Sequence, residues 1–465
     1  MEEKIVAIVG SGISGLSAAL DLANHGVKSV IFDKNSFHGG YATNFWKEGF
    51  RFEASLHYVG PIFKKALNRL GLSRKVKLIE IKKAASIDCR EVKDSCKRVD
   101  FKFNDNGISY IRYLVSKYPD EEKSIKKLFS IGDAILPLSD DMVIDKVNPL
   151  VAMIKHPKAI YPASRYLSKT SKVLLDELFV NEDLKKEISS LAIILGTPVD
   201  VMAAIPYIQT ATESYNRGGY YIRGGSQQLV DIMRKEIEAS GSIFNMRSPV
   251  TKMSIRKERI TSISVGTKLF DVDSVIYCCD LLRLVNSILP RNIKVFKRDI
   301  RKLPIALSAS VLHLGIDIDV KDVYGFDRAD YAINTPSMSF NIAIYSNVDS
   351  TCCKAGKSVI TLTGLGYDDF KSKSMKELSR LIPGIEKHVV TSAYMSSKEF
   401  EDLTWNSGGS FGGFRTTPSQ IRNQIAYDTL IKNLFVAGQW TGVGAGYINT
   451  MLGGISASKL YLALR

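Results

Sequence analysis

The hydrophobic pattern of this 465-residue chain is most regular at its two ends. Residues 4–9 (KIVAIV) form an apolar, β-branched run of strand length. Glycines follow at positions 10, 12 and 15, and apolar residues then recur at helical spacing from Leu16 to His25, where Gly26 closes the segment. Residues 27–32 read as the next strand, and Asp33 ends it, 23 positions after Gly10. Near the other end, residues 433–440 read as a buried strand, with Gly442, Gly444 and Gly446 behind it and helical spacing over 448–464. The pattern therefore predicts strand, glycine turn and helix twice, hundreds of residues apart.

Between these ends the pattern changes several times. Residues 50–58 alternate like a short strand. From Leu72 to Glu213 the chain is charged and reads as mainly helical, with a helix start after Pro119 and helices over 174–194 and 199–211. Residues 227–239 predict a helix after Gly224 and Gly225, 243–250 a strand, and 250–272 the short alternating runs of a β-meander. Residues 273–280 close on an apolar strand. Residues 305–316, 337–345 and 357–363 predict further strands, and 375–388 a helix broken at Pro383-Gly384.

The N-terminal pattern carries chemistry as well as structure. A GxGxxG turn between a strand and a helix, with an acid after the second strand, is the dinucleotide-binding unit in its expected setting. Gly10 permits the turn, Gly12 lets backbone amides approach a pyrophosphate, and Gly15 lets helix and strand pack closely. The helix start, with Ile13 and Ser14, offers N–H groups and partial positive charge to phosphates. Asp33, with Lys34 beside it, is placed for an adenosine ribose, and Gly39 and Gly40 suit a second close approach of backbone to the phosphates.

Composition narrows the class. A 45% hydrophobic and 24% charged chain is globular, and its length suggests two or three compact units. The formal charge of +15 would suit nucleic acid, an anionic membrane or an acidic substrate. Without zinc-finger spacing or an RNP-like motif, nucleic acid is the weakest of these. Residues 145–167 mix apolar positions with Lys146, Lys155, Lys158 and Arg165. They read first as a solvated helical surface and second as a basic stretch for peripheral contact with anionic lipid. Six cysteines without a CxxC pair predict buried free thiols rather than disulfides or a metal site. The first strand begins too early for a secretory leader, and 190–208 is broken by Pro198, Asp200 and Pro206, a poor membrane span. The expected location is cytoplasmic, with or without membrane contact.

The order GxGxxG, acid, Gly-Gly and then residues 52–60 (FEASLHYVG) resembles the FAD-dependent phytoene desaturase, carotenoid isomerase and retinol saturase group. That group belongs to the glutathione-reductase-like flavoproteins that include the amine oxidases. The resemblance implies an α/β fold: a Rossmann-like FAD-binding domain (1–71, 214–285 and 405–465) and a discontinuous mixed α+β substrate domain, a helical cap at 72–213 and a sheet at 286–404. It implies FAD as cofactor and places Val250 at the adenine and Gly224-Gly225 near the flavin. The C-terminal glycine turn, with Gly438, Gln439, Gly444, Tyr447 and Ile448, would cradle the ribityl chain and flavin ring. Two positions depart from the family pattern. Tyr41 stands where desaturases and amine oxidases usually have Arg, and Gln439 where many relatives have Asp.

The activity implied is saturation or desaturation of carbon–carbon bonds in an apolar polyene or isoprenoid-like substrate, by hydride transfer at flavin N5. A redox-neutral double-bond isomerase is the alternative. An amine oxidase and a non-catalytic lipid-binding relative of the GDP-dissociation-inhibitor type stand further back. The cofactor carries the redox chemistry, so few ionisable side chains are required. His57 is the one catalytic candidate, set against an ordinary buried histidine, and Tyr220, Tyr221 and Tyr447 are candidate pocket walls. The electron partner is not readable.

Overall fold

A computed structural model describes residues 5–55, 58–92, 95–102, 108–145, 147–189, 195–216, 219–367, 369–442, 444 and 446–465. Among these, two seven-stranded sheets organise the chain. The first is the nucleotide-binding sheet. Ile5–Val9 lies at its centre, parallel to Ser29–Phe32 on one side and to the end of Lys268–Tyr277 on the other. Ile243–Asn245 and Leu434–Val436 extend the parallel set at either edge. The start of Lys268–Tyr277 pairs instead with the antiparallel meander Val250–Arg256 and Arg259–Val265, so one long strand joins the two parts.

Both faces of this sheet are covered, which is why its strands read as continuous apolar runs. Ile8 and Ile31 face a cluster with Leu16, Leu20 and Met233, from the helices Ile13–Asn24 and Ser226–Ala239. Ala7, Val9 and Phe32 pack on the meander side with Met253 and Ile263. The two glycine-turn helices, Ile13–Asn24 and Tyr447–Leu464, also pack on each other. A Cβ at Gly454 would sit 2.2 Å from the Ser14 carbonyl oxygen, so only glycine allows this crossing.

The second sheet runs, in spatial order, through Val389–Met395, Ala309–Ile316, Ser358–Leu365, Ser339–Ile344, Asp330–Asn334, Lys83–Val92 and Ser95–Lys102. The last two are a departure from expectation, since residues 72–213 read as mainly helical. Their hairpin joins Asp330–Asn334 in parallel, Ala85 opposite Tyr331 and Ile87 opposite Ile333. The edge position explains the misreading: a strand with one solvated face carries charges at alternate positions, which resemble a polar helix surface. The hairpin also corrects the cysteine reading. Cys89 and Cys96 are joined in a disulfide across it, while Cys278, Cys279, Cys352 and Cys353 are free thiols. The strands Asp330–Asn334 and Val389–Met395 were also not anticipated.

Helices from the middle of the chain, including Glu122–Ser139 and Ala204–Asn216, sit on a core of their own with Ile125, Phe129, Tyr207 and Ile208. Lys117 ties this layer to the hairpin through Asp88 and Glu187, at 3.2 and 3.1 Å. A second buried network ties the strand Phe50–Glu53 to Gly219–Ile222, to the start of Ser226–Ala239 and to Asp349. Arg51 pairs with Asp349 at 2.7 Å, and Glu53 accepts from the Tyr221 hydroxyl at 2.7 Å and from the Ser226 hydroxyl. Breaking one partner of such a pair costs about 3–5 kcal/mol, because the other charge is left buried alone. No helix of the described residues is long and apolar enough to cross a membrane.

Candidate cofactor and substrate site

One cavity of about 1160 Å³ receives both glycine turns. At the N-terminal turn, Gly10 N–H donates to the Phe32 carbonyl at 2.8 Å and hands the chain to Gly12, which begins the helix with no side-chain cap and no acid in the first turn. Its first N–H groups therefore have no partner within the helix. Asp33 accepts from the Ser11 amide and hydroxyl, both at 2.7 Å, and from the Asn35 amide at 2.8 Å, so its carboxylate is held in place beside the turn. Gly39 bridges to Gly12, its amide donating to the Ser11 carbonyl at 3.0 Å.

The turn fits a dinucleotide by a test internal to the structure. A Cβ at Gly15 would lie 1.9 Å from the Gly10 carbonyl oxygen, so that glycine serves helix–strand packing. At Gly12 a Cβ would meet only the Gly39 carbonyl, 3.9 Å away, and the backbone there (φ −70°, ψ 176°) suits any residue. Nothing among the described residues requires glycine at position 12; the space beside it belongs to the cavity.

Most of the anticipated cofactor residues line this cavity: Gly10, Gly12, Ile13, Ser14, Asp33, Lys34, Gly39, Gly40 and Tyr41 from the first turn, Val250 from the meander, and Gly438, Gln439, Tyr447 and Ile448 from the last. Gly15 and Gly444 do not line it. His57 lies outside the described residues. Several side chains are already engaged. Lys34 donates to the Asp402 carbonyl at 2.7 Å and lies over the Trp405 ring, and burial lowers its pKa. The Tyr41 hydroxyl donates to the Ser410 carbonyl at 2.9 Å, and Gln439 Nε2 donates to the same oxygen at 2.9 Å. Both residues that depart from the family pattern thus clamp one loop carbonyl. Burial pushes the Tyr41 phenol up to about 12.

Other expectations are corrected. Gly224 and Gly225 do not line the cavity; a Cβ at Gly225 would lie 2.5 Å from the Glu53 carboxylate, so this turn closes over the buried network. Tyr221 belongs to that network and Tyr220 sits under Lys64, leaving Tyr447 as the cavity-wall tyrosine of the three. Cys278 and Cys279 do reach the wall, but burial raises both thiols, Cys278 to about 12, which keeps them protonated and unreactive.

Beyond the glycine turns the cavity continues into a chamber lined by the helical layer and the second sheet. Ile135, Leu136 and Leu138 come from Glu122–Ser139, and Ile205 and Pro206 from Ala204–Asn216. The sheet supplies Asp330, Ala332, Asn341 and Thr363. Sequence reasoning missed these floor residues. Alternation over 337–345 was visible, but nothing local said which face would meet a cavity.

Residues 13–459 match the family described as flavin containing amine oxidoreductase. The chain belongs to this family. It is an FAD-dependent oxidoreductase, and FAD is its cofactor. Among its relatives, all-trans-retinol 13,14-reductase of Homo sapiens is 23% identical over 63% of this chain; the match spans only half (50%) of the human protein's length. The 4,4'-diapophytoene desaturase (4,4'-diaponeurosporene-forming) of Staphylococcus aureus is 21% identical over 95% of each chain. The solved structure of wild-type putrescine oxidase bound to putrescine superposes with a TM-score of 0.70 at 13% identity, covering 99% of this flavoprotein and 98% of that chain. That likeness is one of fold. In this flavoprotein the two glycine turns open on the same cavity as the apolar chamber.

Proposed function

We propose that this flavoprotein saturates or desaturates a carbon–carbon bond of an apolar, polyene or isoprenoid-like substrate. The observation that carries the reading is the continuity of a glycine-lined cradle with a chamber walled largely by aliphatic side chains. The names of the reductase and desaturase relatives support it. When bound, FAD supplies the two-electron, hydride-level exchange such a reaction needs. Gly12 and the helix start behind it would hold the pyrophosphate, Asp33 the adenosine ribose and Val250 the adenine. Gly438, Gln439, Tyr447 and Ile448 would hold the ribityl and ring end. The chamber orients an elongated apolar chain and excludes water. In this reading residues 1–71, 214–285 and 405–465 bind the cofactor, and 72–213 and 286–404 the substrate.

The test is anaerobic incubation of the FAD-loaded, chemically reduced protein with all-trans-retinol. A product two hydrogens heavier is expected. An unchanged mass with a shifted absorbance spectrum would favour double-bond isomerisation instead; no product here, together with no product two hydrogens lighter from the oxidised FAD-loaded protein, would overturn both.

The same reading places the protein against a membrane. Helices Pro149–Lys155 and Pro157–Tyr166 expose Leu150 (71%), Ile154 (78%) and Tyr161 (69%) beside Lys155, Lys158 and Arg165. Met153, Ile160 and Leu167 are exposed in the same segment and also line the cavity, so the apolar patch sits at its mouth. An anionic bilayer satisfies the apolar side chains and the charge together. Co-sedimentation with phosphatidylserine-containing vesicles is expected, weakened by salt and lost in Leu150→Asp/Ile154→Asp. Sedimentation unchanged in that variant would remove this surface from the proposal.

A further inference from the structure

Three neighbouring strands form the chamber floor. In Asp330–Asn334, Ser339–Ile344 and Ser358–Leu365, alternate residues turn to opposite faces. Tyr331, Ile342 and Leu362 pack away from the chamber into the core under the helix Phe370–Leu381, and Ile333 and Phe340 join that core while also touching the cavity. Asp330, Ala332, Asn341 and Thr363 turn towards it. Register sets them side by side, with Ala332 opposite Asn341 and Asn341 opposite Thr363. Same-face partners in this arrangement stand within reach of one ligand group.

The hydrogen bonding of this row is incomplete. Asn341 Nδ2 donates to Asp330 Oδ1 at 2.5 Å, which fixes the amide with Oδ1 as the remaining acceptor. Asn341 Oδ1 and Thr363 Oγ1 are both buried, and neither has a partner among the described residues. Buried polar atoms are normally paired, so two adjacent orphans on the floor of a cavity call for a ligand. Their chemistry specifies it. Asn341 Oδ1 can only accept, while the Thr363 hydroxyl can donate. A hydroxyl does both, donating to one and accepting from the other. A hydrocarbon end can do neither, an ether cannot donate, and an ammonium cannot accept. Ala332 beside them leaves room for the group.

We propose that Asn341 and Thr363, with Asp330 holding the Asn341 amide, form a subsite for a hydroxyl carried by the apolar substrate. The inference rests on the apolar-substrate reading above and narrows it from hydrocarbons to alcohols. Asp330 is a positioning residue here, and Asn341 and Thr363 make the contact.

Equilibrium binding to the FAD-loaded protein, followed by quenching of tryptophan fluorescence, tests it with three probes: all-trans-retinol, its methyl ether and retinylamine. The alcohol is expected to bind about tenfold more tightly than the ether, the weight of a hydrogen bond to an otherwise unpaired buried acceptor. In Asn341→Leu/Thr363→Val the two should bind equally, with the ether's affinity kept and the FAD absorbance unchanged. Thr363→Val alone, nearly isosteric, should lose part of the preference and guards against a folding defect in the double variant. Equal binding of alcohol and ether to the natural protein, or a preference that survives both variants, would overturn the subsite and leave the broader reading intact. Tighter binding of the amine would replace the hydroxyl by a cation held at Asp330. Failure of all three probes to bind would overturn the apolar-substrate reading itself.

Discussion

The two halves of the cavity are built from different material. Around the glycine turns the wall is largely backbone: Gly10, Gly12, Gly39, Gly40, Gly438 and Gly446 line it, and much of its shape follows from where the main chain goes. In the chamber the wall is side chains, from the helical layer on one side and the floor strands on the other. A backbone wall has little to vary, since any added atom fills the space or strains the turn. A side-chain wall can be re-cut one residue at a time without moving the chain, which suits a constant cofactor beside a variable substrate.

The largest expected effect separates the two duties of glycine inside the backbone half. Gly15→Val drives side-chain atoms into the Gly10 carbonyl and should leave no soluble folded protein. A Cβ at Gly12 would meet no described atom closer than 3.9 Å, so Gly12→Val should fold, with FAD retention at least ~100-fold weaker because its side chain occupies the phosphate's space. Circular dichroism and flavin absorbance read the two together. A folded Gly12→Val protein with stoichiometric FAD would refute the placement of the cofactor.

A smaller effect belongs to the sheet that floors the chamber. His313 is fully buried in Ala309–Ile316 against Phe45 and Phe52; its Nδ1 meets the Thr361 hydroxyl at 3.0 Å and its Nε2 has no partner among the described residues. Burial pushes the imidazole down to about 3. The unfolded chain, with an ordinary value near ~6.5, takes up the proton first, so stability is full above that pH and falls as pH drops towards 3. Between pH 7 and pH 4.5 the loss from this group alone is about 2–3 kcal/mol. Urea unfolding at the two pH values should show that loss in the natural protein and a shallower one in His313→Phe.

The smallest effect falls where the halves meet. Tyr41 and Gln439, from opposite ends of the chain, share the Ser410 carbonyl. Tyr41→Phe removes one donor and keeps the ring packed against Phe400 and Phe411, so a loss of about 1 kcal/mol in thermal unfolding is expected, with FAD still bound. A large loss of FAD would show that the phenol serves the cofactor directly.

Residue by residue, the backbone half was the legible one. The helix expected from Leu16 begins slightly earlier, at Ile13, and the strand expected over 27–32 is Ser29–Phe32; Gly12 and Asp33 stand beside one cavity. The expected strand over 243–250 divides into Ile243–Asn245 and the start of Val250–Arg256, because the chain leaves one part of the sheet for the meander. The chamber was hardly legible. The hairpin of Lys83–Val92 and Ser95–Lys102 passed for charged helix, and its disulfide could not be read from two cysteines seven positions apart.

By itself the sequence determined the glycine turns, the helices that follow them and the acid beside the first, because each depends on φ, ψ and contacts within a few tens of residues. Only the tertiary structure decided that both turns open on one cavity, that Tyr41 and Gln439 grip the same carbonyl, and that Asn341 and Thr363 stand together on its floor without partners among the described residues. Those relations link residues far apart in the chain, and they are set by sheet register and by which face is left uncovered. No local pattern of polar and apolar positions encodes that choice.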